Sequence, residues 1–185
     1  VKHLPNLLTS ARILLVPCFL VASMQRHYLL AFVIFVTAAV TDILDGLLAR
    51  WLNVRSRLGS ILDPLADKML MVCGFLYYTF AHDLPVAGIP GWLTFAVFIR
   101  DFLIVFVVYL LYTRIPIKHI SPSIAGKAST VLQAVTLGTV IAMNAFLPRW
   151  APLAAVLFRV SLLITLYSGW DYMRRITHLL RDAEA

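Results

Sequence analysis

Apolar residues in this chain come in long, nearly unbroken runs, without the alternation of a half-buried strand or the single stripe of a water-soluble helix. Six runs, at roughly 10–25, 28–50, 59–81, 90–112, 124–146 and 150–173, approach the ~20 residues that cross ~30 Å of hydrocarbon. Polar breaks separate them: Gln25-Arg26-His27, the Arg50-to-Gly59 segment, His82-Asp83-Leu84-Pro85, the Arg114-to-Pro122 segment and Leu147-Pro148-Arg149. Pro5-Asn6-Leu7-Leu8-Thr9 reads as a short interfacial segment leading into the first span. The pattern predicts an all-α integral membrane protein: six transmembrane helices in one bundle, forming a single domain over residues 1–185.

Composition agrees. Of 185 residues, 61% are hydrophobic and 14% charged, with a mean hydropathy of +0.87, too little polar surface to cover a soluble domain of this size. Lys2 ahead of an apolar run and Val21-Ala22-Ser23 resemble a signal peptide loosely, but Arg12 interrupts the run and the interfacial reading is preferred. Cys18 and Cys73 lie in different spans without ligand spacing and read as buried small hydrophobes.

Charge supplies orientation. With six alternating spans, Lys2, Arg12, Arg50, Arg55, Arg57, Arg114, Lys118, Lys127, Arg174, Arg175 and Arg181 fall on one side, and Arg26 and Arg149 on the other. The positive-inside rule makes the first side cytoplasmic, with both termini. Such a protein belongs in a bacterial inner membrane or its equivalent. The formal charge of +7 then suits anionic headgroups or phosphate-bearing substrates. No nucleic-acid motif accompanies it.

Against this background the stretch "DILDGLLARWLNVRSRLGSILDPLADK" stands out. Asp42 and Asp45 are three residues apart and Asp63 and Asp67 four, so each pair projects from one helical face. Asp42 precedes Arg50 by eight residues and Asp67 follows Gly59 by eight, which places both about 12 Å inside the cytoplasmic face. An antiparallel hairpin would bring all four carboxylates together. They cannot all stay ionised in a low dielectric without cations between them. Lys68, Arg50 or Arg100 could serve in a structural cluster. Oxygen-only ligands without His or Cys point instead to Mg²⁺ or Mn²⁺, two ions being expected, and a two-metal site points to phosphate chemistry. Gly46 and Gly59 permit close helix packing, or with Ala49 clear room for a flat group near Arg50.

The series Asp42-x2-Asp45-Gly46-x2-Ala49-Arg50-x8-Gly59-x3-Asp63-x3-Asp67 resembles, without a departure, the signature of the CDP-alcohol phosphotransferase family, class I of the CDP-alcohol phosphatidyltransferases. The resemblance implies transfer of a substituted phosphate from a CDP-linked donor to an alcohol, with release of CMP. It implies two divalent metals on Asp42, Asp45, Asp63 and Asp67, and proton removal from the attacking hydroxyl by Asp67. Gly46, Ala49, Arg50 and Gly59 would form the CDP pocket, and the family suggests a homodimer. A site opening to lipid favours CDP-diacylglycerol over a soluble CDP-choline donor.

Arg100 in "FIRDF" and Lys127 in "SIAGKASTVLQ" are expected to face the cavity and bind the acceptor. Adjacent helix positions point about 100° apart, so Arg100 and Asp101 are each expected to find another partner. Arg114, Lys118 and His119 read as a solvated loop, Arg159 and Asp171 as structural, and Asn6, Thr9 and Arg12 as the cavity rim. Two cationic groups imply an acceptor that carries phosphate. "PNLLTSARILLVP" and "GSILDPLADKML" look like the phosphatidylglycerophosphate synthase and cardiolipin synthase branch. "RSRLGSILDPLADK" and "FIRD" lean toward the second. Glycerol 3-phosphate and phosphatidylglycerol both stay open as acceptors, with serine and inositol phosphate as alternatives. A cation-coupled transporter is the alternative from another class, although the acids cluster near one face instead of the midplane.

Overall fold

The computed structural model of the chain describes the backbone of residues 4–52, 59–114 and 123–184, and the side chains of residues 14–41, 68–109 and 123–177. Its helices are α1 (Leu4–Met24), α2 (Tyr28–Leu52), α3 (Gly59–Phe80), α4 (Gly91–Arg114), α5 (Ile124–Ala145) and α6 (Ala151–Glu184), with one 3₁₀ turn at Pro148–Trp150. No strand occurs among the described residues.

Three stretches among the described residues are long and apolar enough to cross a membrane alone: Gly91–Tyr109, Ile124–Ala145 and Pro148–Thr177. The protein is an integral membrane protein. Shorter apolar stretches, Leu14–Met24, Tyr28–Thr41 and Lys68–Phe80, belong to α1, α2 and α3. Two ends differ from the sequence expectation. Pro5–Thr9 is helical and continuous with α1, and α6 runs eleven residues past the expected end at 173. Hydropathy falls there, but no Gly or Pro follows Trp170 to break the helix. Arg175 pairs with Asp171 one turn back at 3.1 Å, and Arg174 lies over the Trp170 ring at 5.5 Å.

The chain forms two compact units, one of residues 1–88 and 137–151, the other of 89–136 and 152–185. In the first, α1 packs on α2 and α3. Phe19 is fully buried, its ring 6.4 Å from those of Phe35 on α2 and Tyr78 on α3. Gly74 lets the C-terminal half of α5 approach closely, since a Cβ there would stand 2.6 Å from Leu137 Cδ2. Cys18 and Cys73 are free thiols. Cys18 is exposed, not buried as expected, because in lipid an outward helix face accepts a small apolar side chain as readily as a core does.

Polar contacts secure one end of this unit. The Tyr77 hydroxyl donates to the Ser23 carbonyl at 2.6 Å, and the Tyr78 hydroxyl lies 3.5 Å from Ser23 Oγ. Asn144, buried on α5, fixes the loop between α3 and α4. Its Oδ1 accepts from the Val86 N–H at 3.0 Å, while Nδ2 donates to the Ala87 and Val140 carbonyls at 2.8 Å. Gly88 in that loop has no room for a side chain: a Cβ would stand 2.5 Å from the Tyr78 carbonyl oxygen.

In the second unit, a hydroxyl pair links α5 to α6 between two stripes of buried polar residues. Buried Ser129, Gln133 and Thr136 recur at helical spacing on α5, as do Ser161, Thr165 and Ser168 on α6. Ser129 Oγ lies 3.2 Å from Thr165 Oγ1, and Gln133 Nε2 donates to Ser129 Oγ at 3.2 Å. Lipid tails give apolar helix faces no hydrophobic reason to associate, so such bonds carry more of the packing here than in water. Further along, Tyr172 and Ile176 of α6 are buried against Ile104, Val107 and Val108 of α4.

Replacing Asn144 by Ala strands the Val86 N–H and the Ala87 carbonyl. We expect a loss of about 1–3 kcal/mol in stability, read as a lower melting temperature of the detergent-solubilised protein, with Asn144→Asp recovering only part of it.

Candidate functional site

The signature residues lie on two helices. Asp42, Asp45, Gly46, Ala49 and Arg50 occupy the last turns of α2, and Gly59, Asp63 and Asp67 the first turns of α3. Both helices pack on α1. The side chains of these eight residues lie outside the described ones, as do those of Asn6, Thr9, Arg12, Arg114, Lys118 and His119. Among the described residues no cluster of His, Cys, Asp and Glu could hold a metal. The chemistry of the carboxylate set itself, four hard oxygen donors without nitrogen or sulfur, fits Mg²⁺ or Mn²⁺.

The acceptor candidates are described in full. Arg100 and Lys127 line one cavity of about 320 Å³, with Ile104, Ser123, Gly126 and Tyr172. Ser123 caps α5: its Oγ accepts from the Gly126 N–H at 2.9 Å, and its carbonyl accepts from the Lys127 N–H at 3.1 Å. The positive end of the α5 dipole is thereby fixed at the cavity, an arrangement that favours an anion. Arg100 reaches this level from α4 by threading between two glycines. A Cβ on Gly126 would stand 3.2 Å from Arg100 Nη2, and one on Gly169 would stand 3.7 Å from its Cγ.

Arg100 Nη2 donates to Ser168 Oγ at 2.5 Å, while Nη1 donates to Asp101 Oδ1 at 2.8 Å. The second contact corrects the sequence expectation that neighbours on a helix cannot pair. The 100° divergence separates Cβ positions, but an arginine stem is long enough for the guanidinium to turn back to a carboxylate beside it. Both side chains are largely buried, at 12% and 13% exposure. Arg100 Nε is buried without a hydrogen-bond partner. Asp171 pairs with Arg175, and Arg159 is exposed on α6.

Sequence reasoning passed over Ser123, Ser168 and Gly169. Ser168 could have been found as the last member of the Ser161, Thr165, Ser168 stripe, which an apolar span would otherwise lack.

Residues 2–167 match the family model described as CDP-alcohol phosphatidyltransferase. The chain belongs to the CDP-alcohol phosphatidyltransferase family. It is 35% identical over 191 residues to the "Probable phosphatidylglycerophosphate synthase" of Mycobacterium tuberculosis, covering 98% of this chain and 84% of the relative. It is 34% identical over 172 residues to the CDP-diacylglycerol-glycerol-3-phosphate 3-phosphatidyltransferase of Aquifex aeolicus, covering 92% of this chain and 93% of that one. To the human cardiolipin synthase (CMP-forming) it is 30% identical over 198 residues, covering 97% of this chain and 64% of the relative.

Losing Arg100 leaves the buried Asp101 carboxylate without its guanidinium. Arg100→Leu should cost on the order of 3 kcal/mol, and adding Asp101→Leu should recover part of it. A double-mutant cycle in thermal unfolding measures the coupling, and additive losses would show that the pair is not coupled.

Proposed function

We propose that this protein is a phosphatidyltransferase that moves the phosphatidyl group of CDP-diacylglycerol to a phosphate-bearing alcohol, glycerol 3-phosphate or phosphatidylglycerol, and releases CMP. One observation carries the reading: the family match runs through residues 2–167 and so contains the whole series from Asp42 to Asp67. The relatives' names, which include both glycerol-3-phosphate phosphatidyltransferase and CMP-forming cardiolipin synthase, support the same two acceptors.

Asp42, Asp45, Asp63 and Asp67 would hold a pair of divalent ions, Mg²⁺ or Mn²⁺, whose charge would offset that of the pyrophosphate and of the departing CMP. Gly46, Ala49, Arg50 and Gly59 hold the cytidine and its phosphates. Asp67 takes the proton of the attacking hydroxyl. That oxygen bonds to the phosphatidyl phosphorus, the bond from this phosphorus to the bridging oxygen breaks, and CMP leaves with the electron pair. Arg100 and Lys127 hold the acceptor's phosphate. The chain acts as one functional domain over residues 1–185, with six membrane-spanning helices, an interfacial N-terminal stretch, both termini and the active site on the cytoplasmic side, and a homodimeric assembly.

The decisive assay is CMP release by detergent-purified protein given CDP-diacylglycerol, Mg²⁺ or Mn²⁺, and each acceptor. Asp67→Asn should lower kcat by at least about 10²-fold. Chelation by EDTA should stop turnover and added Mn²⁺ restore it. An Asp42→Ala protein that releases CMP at the wild-type rate would sink the assignment. Lys127→Gln should raise the acceptor KM by roughly tenfold, the worth of about 1.4 kcal/mol, with little change in the KM for CDP-diacylglycerol.

A further inference from the structure

The polar cavity does not end at Arg100. A second cavity, of about 290 Å³, lies between α4 and α6, and Arg100, Ile104 and Tyr172 line both. Elsewhere the second is carbon-lined by Ala96, Leu103, Leu166, Gly169, Trp170 and Met173. Leu103, Leu166, Trp170 and Met173 are also exposed on the outer faces of their helices. The slot is therefore open sideways, toward the hydrocarbon that surrounds those faces. From Thr165 to Met173 it follows α6 for about 12 Å.

Charge separates the possible occupants. Arg100 is paired with Asp101, so with Lys127 the described residues leave one net positive charge at the polar cavity. A phosphodiester carries one negative charge at neutral pH, whereas a phosphomonoester approaches two. The buried Nε of Arg100, still lacking a partner, belongs to the residue that forms the wall between a polar cavity and an apolar slot. An amphiphile whose phosphate meets that residue has its chains beside the slot.

Building on the phosphatidyltransferase reading above, we propose that the acceptor is itself a membrane lipid. Its phosphodiester headgroup occupies the Arg100–Lys127 cavity, and one of its acyl chains lies in the slot between α4 and α6. Of the two acceptors, phosphatidylglycerol has this chemistry; glycerol 3-phosphate brings about one more negative charge and nothing to fill the slot. The primary hydroxyl of the headgroup attacks the phosphatidyl phosphorus, its proton passes to Asp67, and CMP leaves with the electrons of the broken bond. Moving a chain from bulk lipid into the slot gains no hydrophobic energy, because lipid tails are as apolar as the lining. The slot acts by holding the headgroup in register, so its effect falls on kcat/KM for long-chain acceptors.

Purified protein is given CDP-diacylglycerol and metal with glycerol 3-phosphate, dioleoyl phosphatidylglycerol or dihexanoyl phosphatidylglycerol, and CMP is measured. The expected result is a kcat/KM for dioleoyl phosphatidylglycerol at least about tenfold above that for glycerol 3-phosphate. Ala96→Leu, which narrows the slot one turn from Arg100, should lower the long-chain to short-chain ratio by about fivefold. Gly169→Val, on the opposite wall, should do the same. Glycerol 3-phosphate turning over as well as the lipid would overturn this inference and leave phosphatidyl transfer standing. An unchanged chain-length ratio in both slot variants would overturn the assignment of the slot. Absence of CMP release with every acceptor, serine and inositol phosphate included, would instead overturn the phosphatidyltransferase reading.

Discussion

A charge within a membrane-spanning helix must have its counter-charge and hydrogen-bond partners within reach, and Arg100 shows how much packing that requirement determines. Its guanidinium reaches Asp101 on its own helix and Ser168 on α6, and passes close to the backbone of Gly126 on α5. Three helices must therefore meet at one level. Gly126 and Gly169 are small where the arginine passes, and Ser123 holds the first turn of α5 beside it. A Cβ at Gly126 would stand 3.2 Å from Nη2, so the guanidinium that walls both cavities would have to give way slightly.

The two units meet the lack of a hydrophobic force in lipid by different means. In the first, aromatic shape does most of the work, with Phe19 between Phe35 and Tyr78, and polar contacts are confined to the Ser23 and Asn144 end. In the second, the Ser129–Thr165 hydroxyl pair links α5 to α6, with Gln133 bonded to the same serine from α5. Hydrogen bonds specify register where interchangeable apolar faces could slide.

The helices were legible because their interruptions are chemical: clusters of charged residues, Pro and Gly that break otherwise apolar runs. The family was legible because eight positions at fixed spacing stand out against an apolar background. What escaped depended on features other than hydropathy. The length of α6 beyond residue 173 is set by the absence of a helix breaker and by the Asp171–Arg175 pair. The Arg100–Asp101 contact depends on side-chain reach, which helical-wheel spacing ignores. Asn144 drew no attention in the sequence, because its partners lie 57 and 58 residues away in a loop. The exposure of Cys18 follows from the solvent, since in lipid outward and apolar are compatible.

The connection between α1 and α2 is a tight turn of three residues. Gln25, Arg26 and His27 turn the chain with N–H bonds to the carbonyls of Val21, Ser23 and Ala22, and Arg26 takes the left-handed backbone conformation, φ 63°, that completes the reversal. With so little chain between them, α1 and α2 pack against each other as a tight helical hairpin. Arg26 at the tip of that hairpin pairs at 2.9 Å with Asp83, 57 residues further along the chain. The turn between α1 and α2 and the loop after α3 are thus tied by charge where both are exposed, so each helps to hold the other's place at the end of the unit.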